Sequence, residues 1–304
     1  MLYVALLLCF ACSIFFAAIV KKVAMANGAT DKSNYKINQN IIPSLGGLII
    51  FISFMVGMSV VSPDSFRTLP VMVGATIIAI TGVLAERFQL SSKWKLMGQT
   101  IATLVVAVWG GVQFSYIYTF SGNVIEFGYL AIPLTVLWII GITNAVNLTD
   151  ALDDLSIGIS TIALMTISLM AYLAGNSFVA STGGVLLVST LGFMLYSSFS
   201  IKILIGNTGS LFLGFMIAVL TLSGLKNVTM IYIPTYILGV PIVLHYYFLQ
   251  RGFTYKQTVS ICCSIAALFG LAAFIFSASI LWVAIIALTI LLVSTQFFSK
   301  YRFV

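Results

Sequence analysis

The sequence predicts an all-α protein, a polytopic integral membrane helical bundle with about 11 transmembrane helices (10 or 11). The first observation is composition, since 61% of the 304 residues are hydrophobic and only 7% are charged. Soluble domains carry about a quarter charged residues. The second observation is that the apolar runs are continuous rather than alternating, which argues against a transmembrane β-barrel. No polar stretch between the runs is long enough for a soluble domain, so we treat residues 1–304 as a single transmembrane domain.

Each apolar run is close to the ~20 residues that an α-helix needs to cross the hydrocarbon core. The first run lacks a basic segment before it, so we interpret it as a retained helix and not a signal peptide. Two pairs of runs, within 157–198 and 257–298, are so close together that their division stays open. The predicted spans are 1–20, 44–61, 69–85, 97–113, 128–147, 157–174, 178–198, 210–225, 229–249, 257–277 and 279–298.

The basic residues predict which side of the membrane each loop occupies. With the N-terminus outside and the C-terminus cytoplasmic, twelve Lys and Arg residues lie inside and two, Arg67 and Lys226, lie outside. This is a strong positive-inside bias, so the net charge of +7 reflects topology and gives no reason to expect nucleic acid binding. The twelve are Lys21, Lys22, Lys32, Lys36, Arg87, Lys93, Lys95, Lys202, Arg251, Lys256, Lys300 and Arg302.

The most informative stretch runs from Asn144 to Asp154, at the end of an apolar run. Ionisable groups at membrane depth are costly and mark functional sites. Their oxygens suit magnesium and the phosphates that it carries. Asn144, Asn147, Asp150 and Asp153 are spaced three apart, so they share one stripe if the helix continues that far. A solvated acidic loop explains Asp153 and Asp154 equally well, but it does not explain the two asparagines.

A charged hairpin connects the third and fourth runs, from Leu84 to Gln99. It contains Glu86, Lys93 and Lys95, and also Trp94, a residue type typical of membrane interfaces. On the residues alone, a positive-inside anchor is the favoured interpretation. Two adjacent glycines where the second run begins, Gly46 and Gly47, are likewise interpreted as helix-packing residues.

The segment Gly206-Asn207-Thr208-Gly209-Ser210 precedes the eighth run. A glycine-bearing loop before a helix exposes backbone N–H groups and the positive end of the helix dipole, which is an anion site suited to phosphate. An ordinary turn with Thr208 or Ser210 as the N-cap is equally compatible.

The last polar segment contains His245, the only histidine of the chain, and Arg251. A lone histidine near a membrane interface is more often a structural hydrogen-bonding residue than a catalyst. Arg251 is at least as plausible a phosphate contact, because its guanidinium matches phosphate geometry.

In order along the chain, these motifs resemble the polyprenyl-phosphate N-acetylhexosamine-1-phosphate transferases, the glycosyltransferase family 4 enzymes that include MraY-like and WecA-like proteins. The resemblance covers about residues 31–257. Its most specific parts are the Asn-x-x-Asn-x-x-Asp-x-x-Asp string from Asn144 and the segment Ser91–Gln99. The Gly206–Ser210 segment and Arg251-Gly-Phe-Thr254 add to it.

The resemblance implies transfer of a sugar-1-phosphate from a UDP-sugar to undecaprenyl phosphate, with Mg²⁺, in cell-envelope glycan synthesis. It also implies a multi-pass protein of the bacterial inner membrane, a site facing the cytoplasm, and a possible homodimer. The implied catalytic residues are Asp150, Asp153 and Glu86, and the implied metal ligands are Asp150, Asp153 and Asn207. The implied substrate-binding residues are Asn144, Asn147, Lys93, Lys95, Gly206, Thr208, Gly209, Ser210, Arg251 and His245.

The chain also departs from the family pattern. Ala85-Glu86 stands where the family has two aspartates, and Asn207 stands where it has an aspartate that binds magnesium. Pro241 and His245 are four residues apart, although a long histidine-containing loop normally separates these regions. A second hypothesis is therefore a catalytically degenerate member that binds lipid phosphate or a partner protein. A small-solute transporter is disfavoured, because no matching repeat carries a second acidic span.

Overall fold

A computed structural model describes residues 2–26, 46–61, 66–118, 123–148, 153–199, 203–224 and 229–275. These ranges contain eleven α-helices: α1 Leu2–Ala26, α2 Gly46–Val61, α3 Thr68–Phe88, α4 Ser92–Leu104, α5 Ala131–Leu148, α6 Asp153–Leu173, α7 Ser177–Phe199, α8 Gly206–Gly224, α9 Thr229–Tyr232, α10 Val240–Gln250 and α11 Tyr255–Ile275. A π-helical segment, Val105–Trp109, extends α4, and another, Ile233–Gly239, joins α9 to α10.

The described helices confirm an α-helical integral membrane protein. Seven of them are long and apolar enough to cross a membrane, and α2 is a shorter apolar helix. The α6 and α7 helices are separated by a turn at 174–176, so the two closely spaced runs within 157–198 are correctly divided. The run predicted at 279–298 lies outside the described residues, and the count of eleven spans remains a prediction.

The α4 and α8 helices, which carry polar first turns, begin earlier than predicted. The α8 helix starts at Gly206 and not at residue 210, so the glycine-bearing segment is the first turn of the helix and not a loop before it. Gly206 has a φ of +66°, a backbone conformation that glycine adopts without the penalty of a Cβ. The α4 helix starts at Ser92, where residue 97 was predicted, because its polar first turn is helical too.

A short antiparallel hairpin follows α4 and was not predicted. Its strands are Tyr116–Tyr118 and Val124–Glu126, with Ile117 paired to Ile125. The Thr135 hydroxyl on α5 accepts a hydrogen bond from the backbone N–H of Phe114 at 2.8 Å. This bond attaches the segment before the hairpin to the bundle. The hairpin lies at the end of the bundle that is remote from the start of α4.

The α8 helix is the centre of the bundle, since every residue from Thr208 to Thr221 is buried. It runs antiparallel to α3. At one end Arg67, just before α3, donates to the carbonyl of Ser223 at 3.2 Å. At the other end Glu86 of α3 contacts the first turn of α8. The two ends of the bundle therefore have different polar groups.

Glycines let three helices meet at the start of α8. A Cβ added at Gly47 of α2 would collide with the backbone of Gly209, and one added at Gly82 of α3 would collide with the Cα of Thr208. The Gly47 N–H also donates to the carbonyl of Ile205 at 2.8 Å. The interpretation of the glycine pair as packing residues is confirmed, and these contacts fix the first turn of α8 against its neighbours.

Candidate functional site

Three neighbouring helices each carry two polar side chains, one helical turn apart, at the same end of the bundle. Residues separated by three or four positions lie on one face of a helix, so each pair can reach two different neighbours. The six side chains, called the polar ring below, are Lys95 and Gln99 on α4, Asn144 and Asn147 on α5, and Asn207 and Ser210 on α8.

Two hydrogen-bonded contacts attach α8 to the other two helices of the polar ring. The Lys95 ammonium on α4 donates to Asn207 Oδ1 at 2.8 Å. The Ser210 hydroxyl donates to Asn147 Oδ1 on α5 at 2.9 Å. One turn of α8 is therefore held from both sides, by a charged donor and by an amide acceptor.

A reciprocal pair of amides closes the ring between α4 and α5. Asn144 Nδ2 donates to Gln99 Oε1 at 2.9 Å, and Gln99 Nε2 donates to Asn144 Oδ1 at 3.3 Å. Gln99 is only 1% exposed, so its amide has to find its partners within the protein. The pair satisfies both amides in an apolar bundle and fixes the relative positions of α4 and α5.

The Glu86 carboxylate joins α3 to the same turn of α8. Glu86 lies in the last turn of α3, where the helix dipole disfavours a negative charge. Its Oε1 accepts a hydrogen bond from the backbone N–H of Thr208 at 2.8 Å. The positive end of the α8 dipole therefore stabilises the Glu86 carboxylate, which the negative end of the α3 dipole would destabilise.

The site contains one positive side chain, Lys95, and one negative side chain, Glu86, and it is partly exposed. Lys95, Glu86 and Asn207 are half-buried, whereas Thr208 and Ser210 are fully buried. The Thr208 hydroxyl is buried and has no hydrogen-bond partner among the described residues. An ammonium, a helix N-terminus and an unpartnered hydroxyl converge on one turn, and this set of donors suits a phosphate group.

Only the two amides of the predicted stripe of amides and carboxylates have described side chains. The α5 helix ends at Leu148 and α6 begins at Asp153, so Asn144 and Asn147 lie on a different helix from Asp153. Asp150 and the side chain of Asp153 lie outside what the structure describes. A single surface formed by all four residues therefore remains a prediction.

Two predicted substrate-binding residues lie at the junction of α10 and α11. Arg251 is exposed, and its guanidinium lies 5.1 Å from the centre of the Tyr247 ring. His245 is buried between the rings of Tyr246 and Tyr255, and neither ring nitrogen has a hydrogen-bond partner among the described residues. The side-chain contacts described for these two residues are local and do not reach the polar ring.

Gln99 was predicted as part of the charged hairpin and not as a residue of the site. The available signal was an amide four residues after Lys95 and inside an apolar run. Lys93, in contrast, is exposed. Ala85 is 3% exposed and contributes to helix packing.

The described side chains do not fit a magnesium ion. Magnesium is held mainly by carboxylates, phosphates and water in a strict octahedral arrangement. Glu86 Oε1 accepts from the Thr208 N–H, and Asn207 Oδ1 accepts from an ammonium, which repels a second cation. No cluster of three or more His, Cys, Asp or Glu is present among the described residues. The roles of Asp150 and Asp153 as metal ligands remain predictions.

Comparison with known proteins gives a match to one family model and several similar proteins. Residues 68–225 match the model of the family described as glycosyl transferase family 4. The chain is 36% identical over 311 residues to the probable undecaprenyl-phosphate N-acetylglucosaminyl 1-phosphate transferase of Bacillus subtilis (strain 168), covering 93% of this chain and 87% of that protein.

Two further relatives are named phospho-N-acetylmuramoyl-pentapeptide-transferase. That of Pelodictyon phaeoclathratiforme (strain DSM 5477 / BU-1) is 32% identical over 216 residues, with 60% of this chain and 59% of that protein covered. That of Staphylococcus carnosus (strain TM300) is 31% identical over 209 residues, with 63% and 65% covered. The similarity to these two therefore extends over less than two thirds of either protein.

Proposed function

The chain belongs to glycosyl transferase family 4, and we propose that it transfers a sugar-1-phosphate from a UDP-sugar to undecaprenyl phosphate in a bacterial membrane. The sugar is proposed to be an N-acetylhexosamine. The observation that supports this most is the set of phosphate-binding donors at the start of α8, within the residues that match the family. The relative of this kind that matches 93% of the chain supports the same reaction.

In the proposed reaction, an oxygen of the lipid phosphate forms a bond to the β-phosphorus of the UDP-sugar. The bond from that phosphorus to the bridging oxygen breaks, and UMP leaves with that oxygen and its electron pair. Both substrates are anions, so the site has to offset their repulsion. The Lys95 ammonium and the N-terminus of α8 act on these charges, and Asn147 and Ser210 hold the turn in place.

The remaining predicted residues have assigned roles in this proposal. Glu86 positions the first turn of α8 through the Thr208 N–H. Asp150 and Asp153, with Glu86, are the proposed acidic catalytic residues. Lys93 and Arg251 are proposed as additional cationic contacts to phosphate, and His245 as a substrate contact.

The proposed site faces the cytoplasm, where UDP-sugars are made. The site lies at the end of α3 that carries Arg87 and near Lys93 and Lys95, whereas Arg67 lies at the opposite end. Basic residues concentrate on the cytoplasmic side of membrane proteins, which supports this orientation. A homodimer remains part of the proposal on family resemblance alone.

The test is release of UMP by the purified full chain in lipid nanodiscs, with undecaprenyl phosphate and a panel of UDP-sugars. We expect UMP release that requires both substrates and that falls by about 10-fold or more in Lys95→Met, which loses a charge-assisted contact. Arg87→Met removes an exposed charge at the same end and is the matched control. Absence of UMP release with every UDP-sugar contradicts the proposal.

A second candidate function is binding of lipid phosphate without turnover. The neutral Asn207, paired with Lys95, favours it, because the side chain at this position carries no negative charge. In that case undecaprenyl phosphate raises the thermal stability of the protein while UMP release stays absent. A turnover that Asp153→Ala abolishes excludes this candidate.

A further inference from the structure

We propose that Gln99 and Asn144 are a positioning pair for the transfer reaction and that neither side chain contacts the substrate phosphates. The pair sets the position of α4 against α5, and with it the place where the Lys95 ammonium meets the first turn of α8. The role of the pair in turnover rests on the proposed function, whereas its effect on Lys95 is measurable without turnover.

The Asn144 amide uses both of its N–H donors inside the protein. Its Nδ2 donates to Gln99 Oε1 at 2.9 Å and to the backbone carbonyl of Ile140 at 2.9 Å. A carbonyl oxygen only accepts, so the bond to Ile140 fixes which end of the Asn144 amide is the nitrogen. Because an ionised phosphate binds through donors, Asn144, predicted from the sequence to bind substrate, has none left for a phosphate oxygen.

The Gln99 side chain is enclosed by the protein, since it is only 1% exposed. Its Nε2 donates to Asn144 Oδ1 at 3.3 Å, which makes the pair reciprocal. Burying two amides in an apolar bundle is costly unless they are paired, and the pairing requires one relative position of the two helices. Apolar side chains at these positions would pack α4 against α5 without specifying that position so narrowly.

The position of α4 is set at two adjacent residues. A Cβ added at Gly98 would collide with the side chain of Thr81 on α3, so α4 is closely packed on α3 there. The next residue, Gln99, bonds to α5. Lys95 lies one helical turn from Gln99 on the same face of α4, so a shift or rotation of the helix at Gln99 moves Lys95 as well.

The α5 helix is fixed on α8 by a contact that does not involve the amide pair. A Cβ added at Gly214 of α8 would lie 2.9 Å from the Cα of Thr143, so the two backbones are in close contact beside Asn144. Asn147, one turn further along α5, accepts from the Ser210 hydroxyl at 2.9 Å. The amide pair therefore aligns α4 with a helix that is itself fixed to α8.

The first experiment measures the melting temperature of the purified full chain in nanodiscs without substrate. Asn207→Ala removes the acceptor of the half-buried Lys95 ammonium and is expected to lower the melting temperature by roughly 3–6 °C. In a Gln99→Leu background the same change is expected to have less than about half of this effect, because α4 then no longer holds Lys95 against α8.

Gln113→Leu provides the control background for this measurement. Gln113 is a half-buried glutamine that follows the π-helical extension of α4, and its amide donates to the carbonyl of Ala107 at 2.9 Å. The effect of Asn207→Ala is expected to be the same in this background as in the unchanged protein. Equal effects in all three backgrounds, or no effect in the unchanged protein, overturn the positioning role.

The second experiment measures kcat and KM for UMP release with undecaprenyl phosphate and the UDP-sugar that gives the fastest release. Gln99→Leu and Asn144→Leu are each expected to lower kcat by a similar factor, roughly 10-fold to 100-fold, because a displaced charged group costs that much. The double change is expected to lower kcat no further. Gln113→Leu is expected to leave kcat unchanged.

Exchange of the two amides is the conservative rescue. Gln99→Asn and Asn144→Gln each change the combined length of the two side chains by one methylene, and the double exchange restores that length with both amides present. Each single change is expected to lower kcat about 10-fold, and the double exchange to return it to within about 3-fold of the unchanged protein. A double exchange that folds, as its melting temperature shows, but does not regain kcat overturns the positioning role.

The outcomes separate the positioning role from the proposed function. No UMP release by the unchanged protein overturns the proposed function, and the melting temperatures then decide whether the pair positions Lys95. Unchanged kcat in folded Gln99→Leu and Asn144→Leu overturns the positioning role and leaves the proposed function standing. A raised KM in Asn144→Leu that is absent in Gln99→Leu shows a substrate contact by Asn144 and also overturns the positioning role.

Discussion

Two regions of this bundle contain the polar residues that the sequence singles out, and they are organised differently. At the start of α8, side chains from α3, α4, α5 and α8 are joined by hydrogen bonds between helices. At the α10–α11 junction, the described side-chain contacts of Arg251 and His245 are with tyrosine rings of α10 and α11. The difference indicates that the first region is built to hold a fixed arrangement of donors.

The largest effect is expected from Gly82→Ala, because the added Cβ would collide with the Cα of Thr208. Backbone atoms cannot move aside as a flexible side chain can, so α3 has to separate from the first turn of α8. Overpacking of this kind costs about 1–3 kcal/mol or more. Thermal unfolding in detergent measures the loss.

Gly141→Ala is the control for this prediction. Gly141 lies in α5, and a Cβ added there meets nothing within 4 Å. We expect its melting temperature to stay the same or to rise slightly, since alanine favours a helix over glycine by about 1 kcal/mol. Equal destabilisation by the two substitutions would show that the close contact with α8 is not important.

The next effect is expected from Asn144→Leu, which leaves the buried Gln99 amide without its partner, and from Gln99→Leu, which leaves the half-buried Asn144 amide only its bond to the Ile140 carbonyl. Each single change is expected to lower the stability by about 1–3 kcal/mol, and the double change by less than the sum. A double-mutant cycle of thermal unfolding measures this coupling. Strict additivity would contradict a direct interaction between the two amides.

Ser210→Ala is expected to have a smaller effect, about 1 kcal/mol, because it removes one neutral hydrogen bond to Asn147. We also expect a reduced rate of UMP release, since α8 is then held less firmly on the α5 side. Ser264→Ala is the matched control, because the Ser264 hydroxyl bonds only within its own helix, to the carbonyl of Ser260. An equal effect of the two substitutions would argue against a role of the polar ring.

The smallest effect is expected at the α10–α11 junction. Arg251 is exposed, so Arg251→Met should change the stability by no more than about 0.5 kcal/mol. We expect its effect on phosphate binding, measured by the ligand-induced rise in melting temperature, to be smaller than that of Lys95→Met. A larger effect would move the phosphate site towards α10 and reverse the comparison between the two regions.

The sequence was sufficient to predict the membrane class and the position of most of the described helices. Apolar runs indicate which segments are buried in lipid, and this signal is local in the sequence. The division of the three-residue spacing from Asn144 between two helices, α5 and α6, was not predictable, because the spacing itself continues without interruption. The early start of α8 was not predicted, because a polar first turn of a helix resembles a loop in sequence.

The pairing of residues distant in sequence was beyond the reach of the sequence alone. Lys95 and Asn207 are separated by 112 positions, and only helix packing brings them together. The glycine contacts that position α8 were interpreted correctly as packing, but their partners were unknown until the structure placed Gly47 against Gly209. Residue types therefore indicated which hydrogen-bonding groups are present, and helix packing determined which of these groups contact each other.

The most direct test of the account is an experimental structure of the full chain in nanodiscs with bound undecaprenyl phosphate. The account predicts a phosphate group within hydrogen-bonding distance of Lys95 Nζ and the first turn of α8. Density for the phosphate beside Arg251 and His245, with the polar ring unoccupied, would contradict it.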